Sequence, residues 1–303
     1  MANEGRASAM RLTLGPVLFN WPTPMWTDFY ARIADEAPVD RVVIGEVVCS
    51  KRSPFRSDAI VDVIERLERG GKEVILAALA LPTLRREIAE IEGLAGSGRL
   101  VEINDMTALA AVAGNPHIVG PLVNVYNEDT LAELESLGAT TVALSPELPK
   151  SSIGILGAGR RKADLEVFAF GRAPLAISAR CYHARAHGLA KDGCKYVCEQ
   201  DLDGLHVETL DGQSFLAVNG VQTLASGFTV LGQEISELES AGVSRLRLSP
   251  HTCDMVAVAR AFRDAADGRL EPADLFAKVE TLELPAAIVN GYLHASPGAS
   301  LVG

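Results

Sequence analysis

RVVIGEVVCSKRSPFRSDAIVDVIERLERGGKEVILAAL, residues Arg41 to Leu79, holds one complete structural unit. It opens on the β-branched run Arg41 to Val48 and passes a cysteine and a short polar loop. Asp58 to Arg69 then carries Ile60, Val63, Ile64 and Leu67 at helical spacing. Gly70-Gly71 stops that helix, and Glu73 to Leu79 is a second apolar run of strand length. Strand, helix, strand in this order is the unit of a parallel sheet, because parallel neighbours need a crossover between them.

The unit recurs along the chain. Further strand candidates are Leu12 to Phe19, Leu100 to Asn104, Pro121 to Tyr126, Thr141 to Ser145, Leu165 to Phe170 and Arg245 to Ser249, which makes eight. Glu128 to Leu137 is a second clear helix, with Leu131, Leu134 and Leu137 on one face and Gly138 as its stop. Eight such strands predict an α/β fold, a (β/α)8 TIM-like barrel forming a single domain over residues 1–303, although an open doubly wound sheet gives the same periodicity. Arg172 to Ser236 is too long for one helix, and residues 172–236 are expected as an insertion between strands seven and eight, with short strands at Leu175 to Ser178 and Ser214 to Val218. Gly154-x-x-Gly157-x-Gly159 follows no strand directly and reads as a turn or short helix rather than a dinucleotide loop.

Composition narrows the function. With 303 residues, 48% hydrophobic and 22% charged, the chain can bury a sizeable core. The longest apolar run, Val74 to Leu81, is far short of a transmembrane helix, and Met1 to Met10 lacks the pattern of a secretory signal, so a cytoplasmic protein is expected. The net charge of −11 argues against a nucleic-acid partner, which ordinarily meets clustered Lys and Arg. Lys51-Arg52 and Arg160-Arg161-Lys162 read as solvated loop charges or, at most, as sites for one small anion.

Five cysteines in a reducing compartment point to metal or redox chemistry rather than disulfides. Cys181, Cys194 and Cys198 follow a C-x12-C-x3-C pattern in a polar segment of the insertion, and Cys49 lies just beyond strand two. Strand ends and the insertion share the C-terminal face of a barrel, so the four can meet. Four thiolates suit an iron-sulfur cluster, while structural zinc usually takes two tight pairs and only one is present. Spacing alone leaves zinc open, with His183 and His187 near Cys181 as alternative ligands or, more simply, exposed loop histidines. Cys253 reads as a small buried hydrophobe.

Glu166-Val167-Phe168-Ala169-Phe170-Gly171, followed by Ser178-Ala179-Arg180-Cys181, resembles the signature of the collagenase-like peptidase family. Pro174 stands where that signature has an earlier cysteine. With Gly45 to Arg52, Arg172 to Ala176 and the Cys194-x3-Cys198 pair, the chain is similar to the UbiV branch of that family. The resemblance implies a cluster, most simply 4Fe-4S, on Cys49, Cys181, Cys194 and Cys198. It also implies a heterodimer with a paralogous UbiU subunit, and oxygen-independent hydroxylation of the aromatic ring of an apolar quinone precursor in ubiquinone biosynthesis, with prephenate as the proposed oxygen donor. A cluster-bearing scaffold or electron-transfer partner, and an RNA-base hydroxylase, are the other expectations. Peptidase chemistry is not expected, since no nucleophile elbow, zinc-protease helix or catalytic-cysteine context occurs. Polar residues at strand ends, Glu46, Asn104, Asn124 and Arg172, are the substrate-site candidates.

Overall fold

The computed structural model describes residues 10–160 and 162–303. Residues 1–9 of the stretch read for a secretory signal, and Arg161 of the second basic group, lie outside the described residues.

Eight parallel strands close on themselves. β1 (Arg11–Leu14), β2 (Arg41–Ile44), β3 (Glu73–Ala77), β4 (Val101–Ile103), β5 (His117–Val119), β6 (Ala139–Ala143) and β7 (Asp164–Gly171) follow one another in the sheet. After β7 the chain leaves the barrel for β8 (Pro174–Ile177), β9 (Leu205–Glu208), β10 (Ser214–Asn219) and β11 (Gln222–Ala225), which form a separate antiparallel sheet in the order β8-β11-β10-β9. It returns at β12 (Phe228–Val230), antiparallel to the end of β7, and so the last part of the 172–236 interval already belongs to the barrel sheet. β13 (Val243–Leu248) then pairs in parallel with both β7 and β1 and closes the ring. β14 (Ile288–Val289) extends β12 at the edge.

The helices are α1 (Thr23–Glu36), α2 (Ile60–Arg69), α3 (Arg85–Ala95), α4 (Met106–Val112), α5 (Glu128–Ser136), α6 (Lys150–Gly159), α7 (Tyr182–Ala186), α8 (Ile235–Ser240), α9 (Met255–Ala266) and α10 (Pro272–Glu280). Helix α2 buries Val63, Ile64 and Leu67, as its spacing predicts. It ends at Gly70, where a Cβ would come within 2.4 Å of the Ala34 carbonyl oxygen. Gly154, Gly157 and Gly159 lie in helix α6, not in a phosphate loop.

Two readings are corrected. The fifth strand is His117–Val119, not Pro121 to Tyr126, which instead begins with a short 3-10 turn at Pro121–Val123. Pro121 has no N–H to give to a ladder, and the apolar Leu122-Val123 pair behind it mimics a strand start. Strands one and two also stop early. Proline at position 16 limits the first, and Gly45, with φ +140° and tight against Ala77, ends the second.

Two of the residues that carry the family resemblance, Glu166 and Gly171, are scaffold. Glu166, 1% exposed, sits with Glu102 around the Arg247 guanidinium inside the barrel, at 2.8–2.9 Å. Gly171 adopts φ +114°, and a Cβ there would lie 2.8 Å from the Ser249 side chain. No described helix is long and apolar enough to cross a membrane.

Candidate functional site

The four cysteines come from three separate places in the chain. Cys49 lies five residues beyond β2 and precedes the 3-10 helix Ser50–Phe55. Cys181 caps helix α7, its Sγ accepting the Ala184 N–H at 3.4 Å. Cys194 follows the 3-10 turn Lys191–Gly193, and Cys198 lies in the next one, Val197–Gln200. Between the last two, Lys195 and Tyr196 both take left-handed backbone, at φ +50° and +54°. Side chains with a Cβ rarely adopt that conformation, and it persists where surrounding contacts enforce it. One such contact is visible: the Tyr196 ring meets Phe55 edge-on, 4.7 Å between centroids. Lys51 adds a second tie, donating to the Lys191 carbonyl at 2.7 Å and to Asp192 at 3.1 Å. The loop bearing Cys194 and Cys198 is thereby fastened to the loop bearing Cys49.

All four cysteines are free, half-buried and line one recess together with Arg52, His183 and Gly220. Arg52 is not a solvated loop charge, as the sequence suggested, nor a partner for a small anion. It is 2% exposed and donates to the Leu18 carbonyl at 2.8 Å and to Asn219 Oδ1 at 2.9 Å. Its Nε is buried without an acceptor among the described residues. Burial pushes the Cys49 thiol above its usual range, and the Arg52 charge works against that shift. Lys51 is likewise committed to the neighbouring loop rather than to an anion.

The recess suits an iron-sulfur cluster in its donor set, four soft sulfurs with an orphaned cationic N–H beside them. It suits a single zinc ion less well. Zinc–sulfur bonds of about 2.3 Å place tetrahedral thiolates about 3.8 Å apart. Among the described residues the one group of three or more donor atoms within 4.8 Å of one another is His183, His187 and Asp201, so no three of the thiols are drawn that close. His187 is exposed, as expected of a loop histidine. His183 is not, because its ring is fully buried with Nε2 2.8 Å from Asp201 Oδ2 and stacks on the His187 ring.

The substrate-site candidates separate. Glu46 does not line the recess but holds the backbone of one of its cysteines: its Oε1 accepts the Val48 N–H at 2.8 Å and the Cys49 N–H at 2.9 Å, with Arg52 4.0 Å away. Burial raises its carboxyl above the usual range, against the pull of Arg52. The other three stay away from the recess. Asn104 is buried at the end of β4 and donates to the Ala78 carbonyl at 3.2 Å. Asn124 is an exposed residue in left-handed backbone closing a 3-10 turn. Arg172 is 4% exposed, donates to the Ala225 and Ser226 carbonyls and lies 4.9 Å over the Phe228 ring. These three hold strands and turns in place. Cys253 packs against the barrel core near Met255, and burial pushes its thiol up to about 12.

The sequence offers His183 only as an alternative zinc ligand or an exposed loop histidine, and Arg52 only as a loop charge or anion site, not as buried walls of the cysteine recess. Adjacency to Cys49 and Cys181 was the available signal, but their partners lie 167 and 18 residues away along the chain.

Residues 28–301 match the family model of peptidase family U32. Among solved structures, tryptophan synthase subunit alpha from Campylobacter jejuni is similar at 12% identity, over 90% of this chain and 99% of that one, with a TM-score of 0.30.

Proposed function

The chain belongs to peptidase family U32, and from that premise we propose that it is an iron-sulfur subunit acting with a UbiU-like paralogue in oxygen-independent hydroxylation of an aromatic ring during ubiquinone biosynthesis, not in proteolysis. The observation that carries this reading is the convergence of Cys49, Cys181, Cys194 and Cys198 on one recess from segments up to 149 residues apart. The all-sulfur donor set, and the unpaired Arg52 Nε beside the sulfurs, support a cluster, most simply 4Fe-4S, over zinc.

When bound, such a cluster supplies one-electron chemistry or an iron site that activates an oxygen donor. The protein's own groups have narrower tasks. Glu46 fixes the turn that presents Cys49 by accepting two backbone N–H groups. Arg52 offsets the negative charge of thiolates and shields them from water, and Lys51 holds the Cys194 loop closed over them. The −11 net charge and the small aromatic share, 5%, favour this reading over RNA modification.

Anaerobic purification with iron and sulfide counting is the direct test. A brown protein with about four irons and four sulfides per chain is expected, and a colourless zinc protein would sink the proposal. Reconstitution of ring hydroxylation with the partner and Cys194→Ala then separates catalyst from scaffold: turnover is expected to vanish while the complex still forms.

A further inference from the structure

Beside the cysteine recess, on the other side of Glu46, lies a cavity of about 370 Å³. It is bounded by the ends of β1 to β3, by the 3-10 helix after Cys49 and by helices α2 and α3. Its walls are mainly apolar, with Phe19, Trp26, Ile44, Leu76, Leu79 and Ile91 among them. That volume is in the range of cavities that enclose small organic ligands.

Its polar groups are few and mostly engaged. Glu87 accepts the Ser50 hydroxyl at 2.5 Å through Oε1 and the Thr83 and Leu84 N–H groups through Oε2. Arg56 donates to Thr23 Oγ1 and to the Trp21 carbonyl, and its guanidinium lies 5.2 Å from the Trp26 ring centre. Glu46 spends Oε1 on the Val48 and Cys49 amides, while Oε2 accepts no hydrogen bond among the described residues. Three carboxylates, Glu46, Glu87 and Glu90, face one guanidinium around the space, which disfavours an anionic occupant.

We propose that this cavity binds a small, neutral, largely apolar molecule that donates one hydrogen bond, received by Glu46 Oε2. Apolar contact supplies most of the affinity and the single acceptor supplies orientation, because a bound molecule that covers Glu46 Oε2 without donating to it strips that acceptor of water at a cost. The site stands whether or not the four cysteines carry iron.

Gly93 lines the cavity from helix α3, and a Cβ built on it meets nothing within 4 Å. Gly93 is exposed at the rim, so Gly93→Phe is expected to reach into the space from there without displacing backbone, and replacing a helical glycine favours the helix. The test is calorimetric titration of the purified protein with 1-naphthol, naphthalene and 1-naphthoate, with Trp26 fluorescence as a second readout. Naphthol is expected to bind at least tenfold more tightly than either analogue, and Gly93→Phe to weaken it at least tenfold with thermal midpoint and iron content unchanged. Gly93→Leu, a smaller filler, is expected to act in the same direction and serves if the Phe variant folds poorly. No naphthol binding, equal affinity for all three probes, or binding indifferent to both fillers overturns the proposal. Iron content, measured on the same samples, reports on the cluster independently of these outcomes.

Discussion

Arg52 joins three parts of the chain that are distant in sequence. It donates to the loop after β1 through the Leu18 carbonyl, follows Cys49 in the loop after β2, and reaches the β10–β11 turn through Asn219. Its counter-charge is Glu46, 4.0 Å away and itself partly buried. Arg52→Met keeps most of the volume and removes the charge, leaving the buried Asn219 amide oxygen without its donor and the partly buried Glu46 with only its two backbone N–H partners. Breaking a buried pair from one side costs about 3–5 kcal/mol, and an unfolding free energy lowered by that amount in urea titration is the expected outcome. Iron retention should fall as well. Arg247→Met is expected to cost a similar amount, since it strands Glu102 and Glu166 inside the barrel, 0% and 1% exposed. Neither arginine's role was visible locally: Lys51-Arg52 looks like a solvated pair because its sequence neighbours are polar, and Arg247 sits in an otherwise alternating strand. Burial is set by what folds over a residue, and those segments lie about 150 residues away.

Among the elements, the barrel strands were legible because each is a short β-branched run bounded by a helix stop and a turn. The fifth was misplaced for a local reason, Pro121, and its true residues, His117–Val119, begin with a histidine that breaks the apolar pattern. The second sheet was only half legible. β8 and β10 were foreseen, whereas β9 and β11 were not, since Leu205–Glu208 and Gln222–Ala225 mix polar and apolar residues and pair through long-range register. The turn joining β10 to β11 has a two-residue loop, Gly220-Val221, with Gly220 at φ +63°. A Cβ at Gly220 would lie 2.9 Å from Arg52 Nη2. Gly212, in the turn before β10, has φ +78° and nothing within 4 Å of a built Cβ. The two form a controlled pair. Alanine at either position is expected to cost about 1–2 kcal/mol from left-handed strain, read as a lower thermal midpoint. Only Gly220→Ala should also lower the iron-to-protein ratio, because only it displaces the arginine beside the cysteines. Equal iron loss in both variants would show that the turn acts through general instability instead.

At the scale of the molecule, closure of the barrel puts several ionisable groups where water cannot reach them, and that makes stability depend on pH. His117 and His251 are buried, and desolvation holds both below the usual histidine range, against the opposing hydrogen bonds their rings give to the Asn115 carbonyl and the Asp203 carboxylate. A base whose folded pKa is depressed binds fewer protons folded than unfolded, so its contribution is present above the unfolded value of about 6.5 and is lost as pH falls below it. Glu166, Asp164 and Asp203 add a second stage. Burial works against ionisation of each, but Arg247, Arg11 with Arg245, and His251 outweigh it and hold the carboxyls below their usual range. Their contribution is present above unfolded values near about 4 and is lost as pH falls further, through the depressed folded values. The two stages share one residue pair, since protonating His251 in place strengthens its contact with Asp203 while charging a fully buried ring. Desolvation is the larger influence on His251, so the histidine stage should still destabilise. The urea midpoint, followed from pH 8 to pH 3 under anaerobic conditions, is therefore expected to hold level to about pH 6.5, decline gently to about 4.5 and then drop steeply. A level midpoint down to pH 5 would mean that the buried histidines carry no linkage and that the carboxylates alone account for acid unfolding.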